Sequence, residues 1–251
     1  MTIQYLPLEW YADKVERGEP FTSLLYGDGE FQIIAGLRTG QTMAYGEVVT
    51  ERMAEEMTAS LEPNDQSLIR GTDPHLIEPE TYKGQDADQF QTSCAEYHRL
   101  LSGLRERDWT DGVVWDRASR DGELGPFLRA LRTRRVVFVG NAVLAASLQP
   151  VLRQQASVLV PESNAWAAAD SAEDLCRISR EESAYVVCAG LTTIPVIMRL
   201  WRVNPLCTYL DLGSALDVFA GIGAERGWRA ELYADPSRHQ EVVARHLRGL
   251  T

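Results

Sequence analysis

VVFVG, residues 136–140, is a run of four apolar residues, three of them β-branched, closed by a glycine. Its length suits a strand buried on both faces, because a half-exposed strand would alternate apolar and polar side chains. The segment after it, Ala142–Arg153, switches to helical periodicity. The same sequence of events then repeats. SVLVP (Ser157–Pro161) leads into Asn164–Arg180, YVVCAG (Tyr185–Gly190) into Thr193–Arg202, and CTYLDLG (Cys207–Gly213) into Ser214–Arg226. Four strand–turn–helix units in succession predict an α/β fold, a mostly parallel, Rossmann-like sheet with helices on both faces.

Outward from these units the chain is less regular. We read residues 1–251 as one domain, with an irregular part over about 1–134 and the βα-repeating part over about 135–228. In the first part, Met43–Leu61 is expected to be an amphipathic helix with Met43, Val49, Met53, Met57 and Leu61 on one stripe. Helices are also expected over Asp88–Glu106 and Glu123–Arg132, with a short strand at Val113–Trp115. Glu62–Asp88, rich in proline and glycine, reads as a connection or flap.

Composition narrows the class. The chain has 251 residues, 45% hydrophobic and 24% charged, enough for a sizeable core. No apolar run approaches the roughly 18 residues of a membrane span, and the N-terminal residues lack the pattern of a secretory signal. The four cysteines, Cys94, Cys176, Cys188 and Cys207, form no CxxC pair, so small core hydrophobes in a reducing cytoplasm are expected. His239 and His246 are expected on a solvated face of a polar tail. The net charge of −11 disfavours polyanions as partners. The two arginine clusters, Arg99–Arg107 and Arg129–Arg135, read as solvated helix faces before they read as a phosphate track.

A parallel sheet places its ligand beyond the carboxyl ends of its strands. Four segments should therefore share one rim: Gly140–Val143, Pro161–Trp166, Ala189–Thr193 and Asp211–Asp217. Each brings small or polar residues to the start of a helix, where free N–H groups favour an anion. Asn141, Asn164 and Ser214 have helix capping as an equally direct explanation.

A fifth segment, LLYGDGEF (Leu24–Phe31), follows an apolar run and sets Asp28 and Glu30 two residues apart. On an extended backbone both would point to one side, with Gly29 allowing close approach of a ligand. Paired carboxylates repel unless a cation or proton sits between them, and Mg²⁺ or Mn²⁺ meets that need with oxygen ligands. Spacing alone also fits a hairpin turn with two solvated acids.

PFTSLLYGDGEF (Pro20–Phe31) resembles the signature of glycosyltransferases with the GT-D fold, in which a GDGE segment carries a metal-binding DxE pair. VVFVGN (Val136–Asn141), VPESNAW (Val160–Trp166), VVCAGLTTIPVI (Val186–Ile197) and YLDLGSALD (Tyr209–Asp217) resemble the same family in the same order. The resemblance implies a nucleotide-diphosphate sugar as donor, a uridine nucleotide first among candidates. It implies Mn²⁺ or Mg²⁺ at Asp28 and Glu30. Tyr26, Gly27, Gly29, Gly140, Asn141, Asn164, Trp166, Ala189 and Gly190 are then expected to bind donor, and Asp211 or Asp217 to serve as base. Members often carry arginine where this chain has Leu25, so another cation, Arg38 or Arg199 or the metal, is expected to take its place. The acceptor is expected to be a glycan or glycoconjugate hydroxyl, with a modified base in DNA as second choice and a cytoplasmic location (the host's, if a phage encodes it). A non-catalytic nucleotide-sugar-binding module is the other alternative. A dinucleotide oxidoreductase finds little support: Gly221-Ile222-Gly223 falls in an expected helix and Arg226 stands where a third glycine is needed. A methyltransferase is compatible with the fold class alone.

Overall fold

The computed structural model describes residues 3–43, 46–178, 183–224 and 227–250. Seven strands form one sheet: β1 (Thr22–Tyr26), β2 (Leu68–Thr72), β3 (Thr110–Asp111), β4 (Arg135–Gly140), β5 (Ala156–Leu159), β6 (Ser183–Cys188) and β7 (Thr208–Asp211). Their order is β3-β2-β1-β7-β6-β4-β5, and all six pairings are parallel.

The expected burial on both faces is visible residue by residue. Val137, Val139, Tyr185, Val187 and Tyr209 enter one core, while Val136, Phe138, Ala184, Val186 and Leu210 enter the other. This period of two is what a pleated strand imposes. The first core is covered by α2 (Asp28–Ile34), α3 (Glu51–Ala59), α5 (Ala87–Leu100), α9 (Ala169–Ile178) and α10 (Thr193–Val203). The second is covered by α1 (Leu8–Arg17), α6 (Val114–Asp121), α7 (Gly125–Arg132) and α8 (Ala142–Leu152). A four-residue helix, α4 (Pro74–Ile77), and two C-terminal helices, α11 (Trp228–Ala234) and α12 (Pro236–Leu247), complete the chain. Among the described residues no helix is long and apolar enough to cross a membrane.

The first three strand–turn–helix units form as expected, with α9 preceded by a 3-10 turn at Ala165–Ala168; residues 179 and 180 of its expected span lie outside the described residues. The fourth does not. After β7 the chain makes turns and a single 3-10 turn at Asp217–Phe219, because Gly213, Gly221 and Gly223 all adopt positive φ, which ends helical propagation. Residues 225 and 226 of the expected helix lie outside the described residues.

The N-terminal part holds more corrections. The methionine helix begins at Glu51, capped by Thr50, whose hydroxyl accepts from the Met53 N–H at 3.1 Å. Met53 and Met57 are buried as expected, but Met43 precedes the helix, and residues 44 and 45 are outside the described set. The helix expected over Asp88–Glu106 ends at Leu100. Val113–Trp115 starts α6 instead of forming a strand, since Val114, Trp115, Ala118 and Ser119 bury one helical face. The stretch read as a connection contains strand β2 and helix α4. Gly71 makes β2 possible: a Cβ there would lie 2.8 Å from the Leu25 side chain and 3.1 Å from the Gly112 Cα.

The polar tail is also docked, not solvated. His246 is fully buried; its Nδ1 accepts from the Leu124 N–H at 3.1 Å and its Nε2 faces the Ser119 carbonyl at 3.0 Å. Burial pushes its pKa down to about 4 and keeps the ring neutral. His239 Nε2 lies 2.7 Å from the Val218 carbonyl.

Candidate active site

The carboxyl ends of the strands open into a cavity of about 660 Å³. Strand order explains its position. The connections from β4 and β6 depart in opposite directions, leaving a crevice at the rim between them. Asn141, Ala189, Gly190, Asp211 and Asp217 line the cavity, and so do Gly27, Asp28, Gly29 and Glu30 from the end of β1. The GDGE segment and the rim of the C-terminal units, far apart in sequence, therefore share one space.

The local geometry of GDGE differs from the extended turn expected. Gly27 is the extended N-cap of α2, Asp28 is the first helical residue and Glu30 the third. Glu30 Oε2 accepts from the Gly27 N–H at 2.9 Å, the side-chain half of a capping box. Asp28 Oδ2 lies 3.5 Å from Gln32 Nε2, one helical turn on. The positive end of a helix favours both acids in its first turn. Both acids line the cavity, but positions two apart on a helix do not share a face, so the one-sided pair expected of an extended backbone is not formed.

Asp211, at the end of β7, is buried. Its Oδ2 accepts from the Leu25 N–H at 3.1 Å and its Oδ1 from the Gly213 N–H at 2.9 Å. Burial raises its pKa to about 7; the two N–H groups oppose that rise and the charge of Glu30 adds to it. The segment after β1 and the strand end of β7 therefore bring Glu30 and Asp211 into electrostatic contact.

Glu47 belongs to the same wall and was not foreseen. It is buried, with Oε1 accepting from the Ala165 N–H at 3.1 Å and the Thr192 hydroxyl at 3.3 Å, and Oε2 from the Trp166 N–H at 3.3 Å. Burial raises its pKa, while these donors act in the other direction. The carboxylate ties the 46–50 segment to the loop after β5 and to the start of α10. Its sequence context, a single acid between Gly46 and two valines, carries no periodic signal.

Other expected donor-binding residues stand elsewhere. Tyr26 is fully buried, its hydroxyl 2.7 Å from Ser60 Oγ, and it does not line the cavity. Gly140 is buried where a Cβ would meet the Phe138 ring at 2.6 Å, a packing requirement. Asn164 adopts a left-handed backbone without capping through its side chain, and its buried Oδ1 has no partner among the described residues. Trp166 lies against the guanidinium groups of Arg52 and Arg199, 5.8 and 5.2 Å from its ring centroid. Neither Asn164 nor Trp166 lines the cavity. Asn141 does, while capping α8 through Oδ1 and the Leu144 N–H at 2.8 Å.

The charge of the wall is lopsided. Among the described residues that line it, Asp28, Glu30, Glu47, Asp116, Glu162, Asp211 and Asp217 are acidic and Arg38 alone is basic. Asp116 is already matched by Arg229 at 3.1 Å. Arg199, the other candidate for the missing cation, lies outside the cavity and is committed to Glu56, Asp170 and Glu173.

Scans of family models and of curated proteins return no match to this chain. Solved structures do match. One, the selenomethionine form of domain of unknown function 1792, aligns with a TM-score of 0.65 and 14% identity over 92% of this chain and 82% of that one. A second, described as the highly conserved domain of unknown function 1792 with a distinct glycosyltransferase fold, gives 0.62 and 15% over the same shares. A third, described as a new glycosyltransferase of that type from Streptococcus sanguinis, gives 0.60 and 14% over 85% and 82%. The chain thus has a glycosyltransferase fold of the GT-D type.

Proposed function

We propose that this protein is a glycosyltransferase that moves a sugar from a nucleotide-diphosphate sugar to an acceptor hydroxyl, with Mn²⁺ or Mg²⁺ held by Asp28 and Glu30. The observation that carries the reading is the charge of the cavity. Even with Asp116 matched by Arg229 and Asp211 holding a proton up to about pH 7, Asp28, Glu30, Glu162 and Asp217 line it with Arg38 as the one basic side chain among the described lining residues. A diphosphate is repelled there unless a cation accompanies it. Among the described residues no group of three or more ligating side chains is gathered, so Asp28 and Glu30 would hold such a cation only together with ligand and water. Two hard oxygen ligands on one helical turn leave positions for phosphate oxygens and water, the usual way Mg²⁺ is held beside phosphates. When bound, the ion would offset charge on the departing diphosphate.

The chain's own groups supply the rest. Asp211 acts as the base for the acceptor hydroxyl: its pKa near 7 suits proton transfer at neutral pH, and two backbone N–H groups fix its orientation. Asp217, on the same wall, is the second choice. The N-termini of α8 and α10 offer N–H groups at the rim to the anionic part of the donor. A uridine nucleotide as donor and a glycan or glycoconjugate as acceptor complete the proposal. A modified base in DNA is the weaker acceptor. The Arg129–Arg135 cluster lies at the amino end of β4, opposite the cavity, and in the other cluster Arg105 pairs with Glu80 while Arg107 donates to the Leu61 carbonyl.

The test is release of free nucleoside diphosphate from a panel of nucleotide sugars with Mn²⁺. Asp28→Ala and Glu30→Ala should each lower turnover at least a hundredfold, with the melting temperature unchanged in Asp28→Ala and somewhat lower in Glu30→Ala, which loses its bond to the Gly27 N–H. Full turnover in both variants would end the metal assignment. Donor binding without release from any sugar would leave a binding module.

A further inference from the structure

Arg38 is the one basic residue among the described residues that line the cavity. It is half-buried at the wall of an acidic cavity, yet no carboxylate pairs with it among the described residues. Two neutral amides hold it instead: its Nε donates to Gln32 Oε1 at 2.5 Å and its Nη1 to Gln41 Oε1 at 3.1 Å. Amide oxygens orient a guanidinium without cancelling its charge, and the second terminal nitrogen has no protein acceptor among the described residues. The same Gln32 extends its Nε2 towards Asp28 Oδ2, at 3.5 Å. One amide side chain therefore bridges the cavity's basic group and one of the two acids of the GDGE turn.

Fixed planar forks of this kind recognise phosphate oxygens by two parallel hydrogen bonds. Position supports that use. Leu25, which also lines the cavity, brings no charge, and Arg199 is neutralised elsewhere. We infer that Arg38 is the residue that binds the diphosphate of the donor, oriented by Gln32 and Gln41 on the opposite side of the anion from the cation that Asp28 and Glu30 would hold. The inference rests on the donor reading above and assigns one side chain within it.

Calorimetric titration of inorganic pyrophosphate and of a panel of nucleoside diphosphates, each with Mn²⁺, tests it in the full chain. Pyrophosphate reads the anion site whatever base the donor carries. Arg38→Ala should weaken binding on the order of ten- to a hundredfold, the worth of hydrogen bonds to a charged group. Arg38→Lys should recover only part of that loss, because a lysine ammonium has no fork for the two glutamines to hold. Melting temperatures of the ligand-free variants should match the parent, since the side chain is only half-buried. Equal binding by the parent and Arg38→Ala would overturn the assignment of Arg38 and leave the donor reading intact. No binding of any diphosphate by the parent would overturn both.

Discussion

Around Arg199, three carboxylates from two helices meet a buried guanidinium; at the rim of the sheet, seven line a cavity whose one basic lining residue among those described, the half-buried Arg38, pairs with none of them. The first group is close to balanced. Arg199 grips Glu56 with Nε at 2.6 Å and Nη2 at 2.8 Å, and reaches Asp170 at 2.8 Å and Glu173 at 3.4 Å. Arg52 adds a second positive charge on Asp170 and Glu56. This cluster joins α3, α9 and α10, and Trp166 covers it. Nothing is left for a ligand to supply. At the rim, acids outnumber bases among the described residues that line the cavity, and that excess is what a cation and a phosphate-bearing ligand would meet. Similar side chains thus serve cohesion in one region and, under the proposed function, recognition in the other.

The sharpest way to break this contrast is Asp211→Asn. If Asp211 is the base, turnover should fall by about 10²–10⁴, and the rise of rate with pH through about 7 should vanish. Stability should respond too. The native chain keeps a proton that the unfolded chain releases near pH 4, so the stability linked to Asp211 is full below about 4 and declines as pH rises through about 7. The decline amounts to roughly 4 kcal/mol at most, and denaturant midpoints measured across that range should flatten in the variant. An unchanged pH–rate profile would move the base to Asp217.

Arg199→Ala tests the balanced group. It removes the buried guanidinium from Glu56, Asp170 and Glu173 and leaves Arg52 on Glu56 and Asp170, so a loss of up to about 3 kcal/mol is expected, read as a lower denaturant midpoint. Donor binding by the fraction still folded should be unaffected. A defect confined to donor binding would erase the distinction between the two regions. Arg105→Ala gives the smallest effect and the baseline. Its pair with Glu80 is largely exposed, so stability should change by no more than about 0.5 kcal/mol.

Much of the sheet was legible because burial on both faces leaves uninterrupted apolar strands, as in VVFVG and YVVCAG. Strand β2 was hidden by its own sequence, LIRGT. Arg70 sits in mid-strand by sending Nη2 back to the Ser60 and Pro63 carbonyls, and Gly71 stands where strands approach too closely for a side chain. Neither reason is local, so no window of sequence displays it. The site was half legible. Asp28, Glu30, Asn141, Ala189, Gly190, Asp211 and Asp217 do share one cavity, because strand ends in a parallel sheet all face one way. Glu47 was missed because its partners, Ala165, Trp166 and Thr192, lie more than a hundred residues away. The expected helix after β7 failed for a local reason: Gly221 and Gly223 adopt positive φ.

The middle of the sheet pairs β1 with β7, matching Thr22 to Tyr209 and Ser23 to Leu210. Synthesis must therefore pass β7, at residues 208–211, before the central strands can join. Until then the nascent chain holds two incomplete half-sheets with open hydrogen-bonding edges, and closing so long a loop slows assembly. A ribosome paused ahead of residue 208 would present chaperones with a polypeptide that has most of its strands and no finished binding crevice.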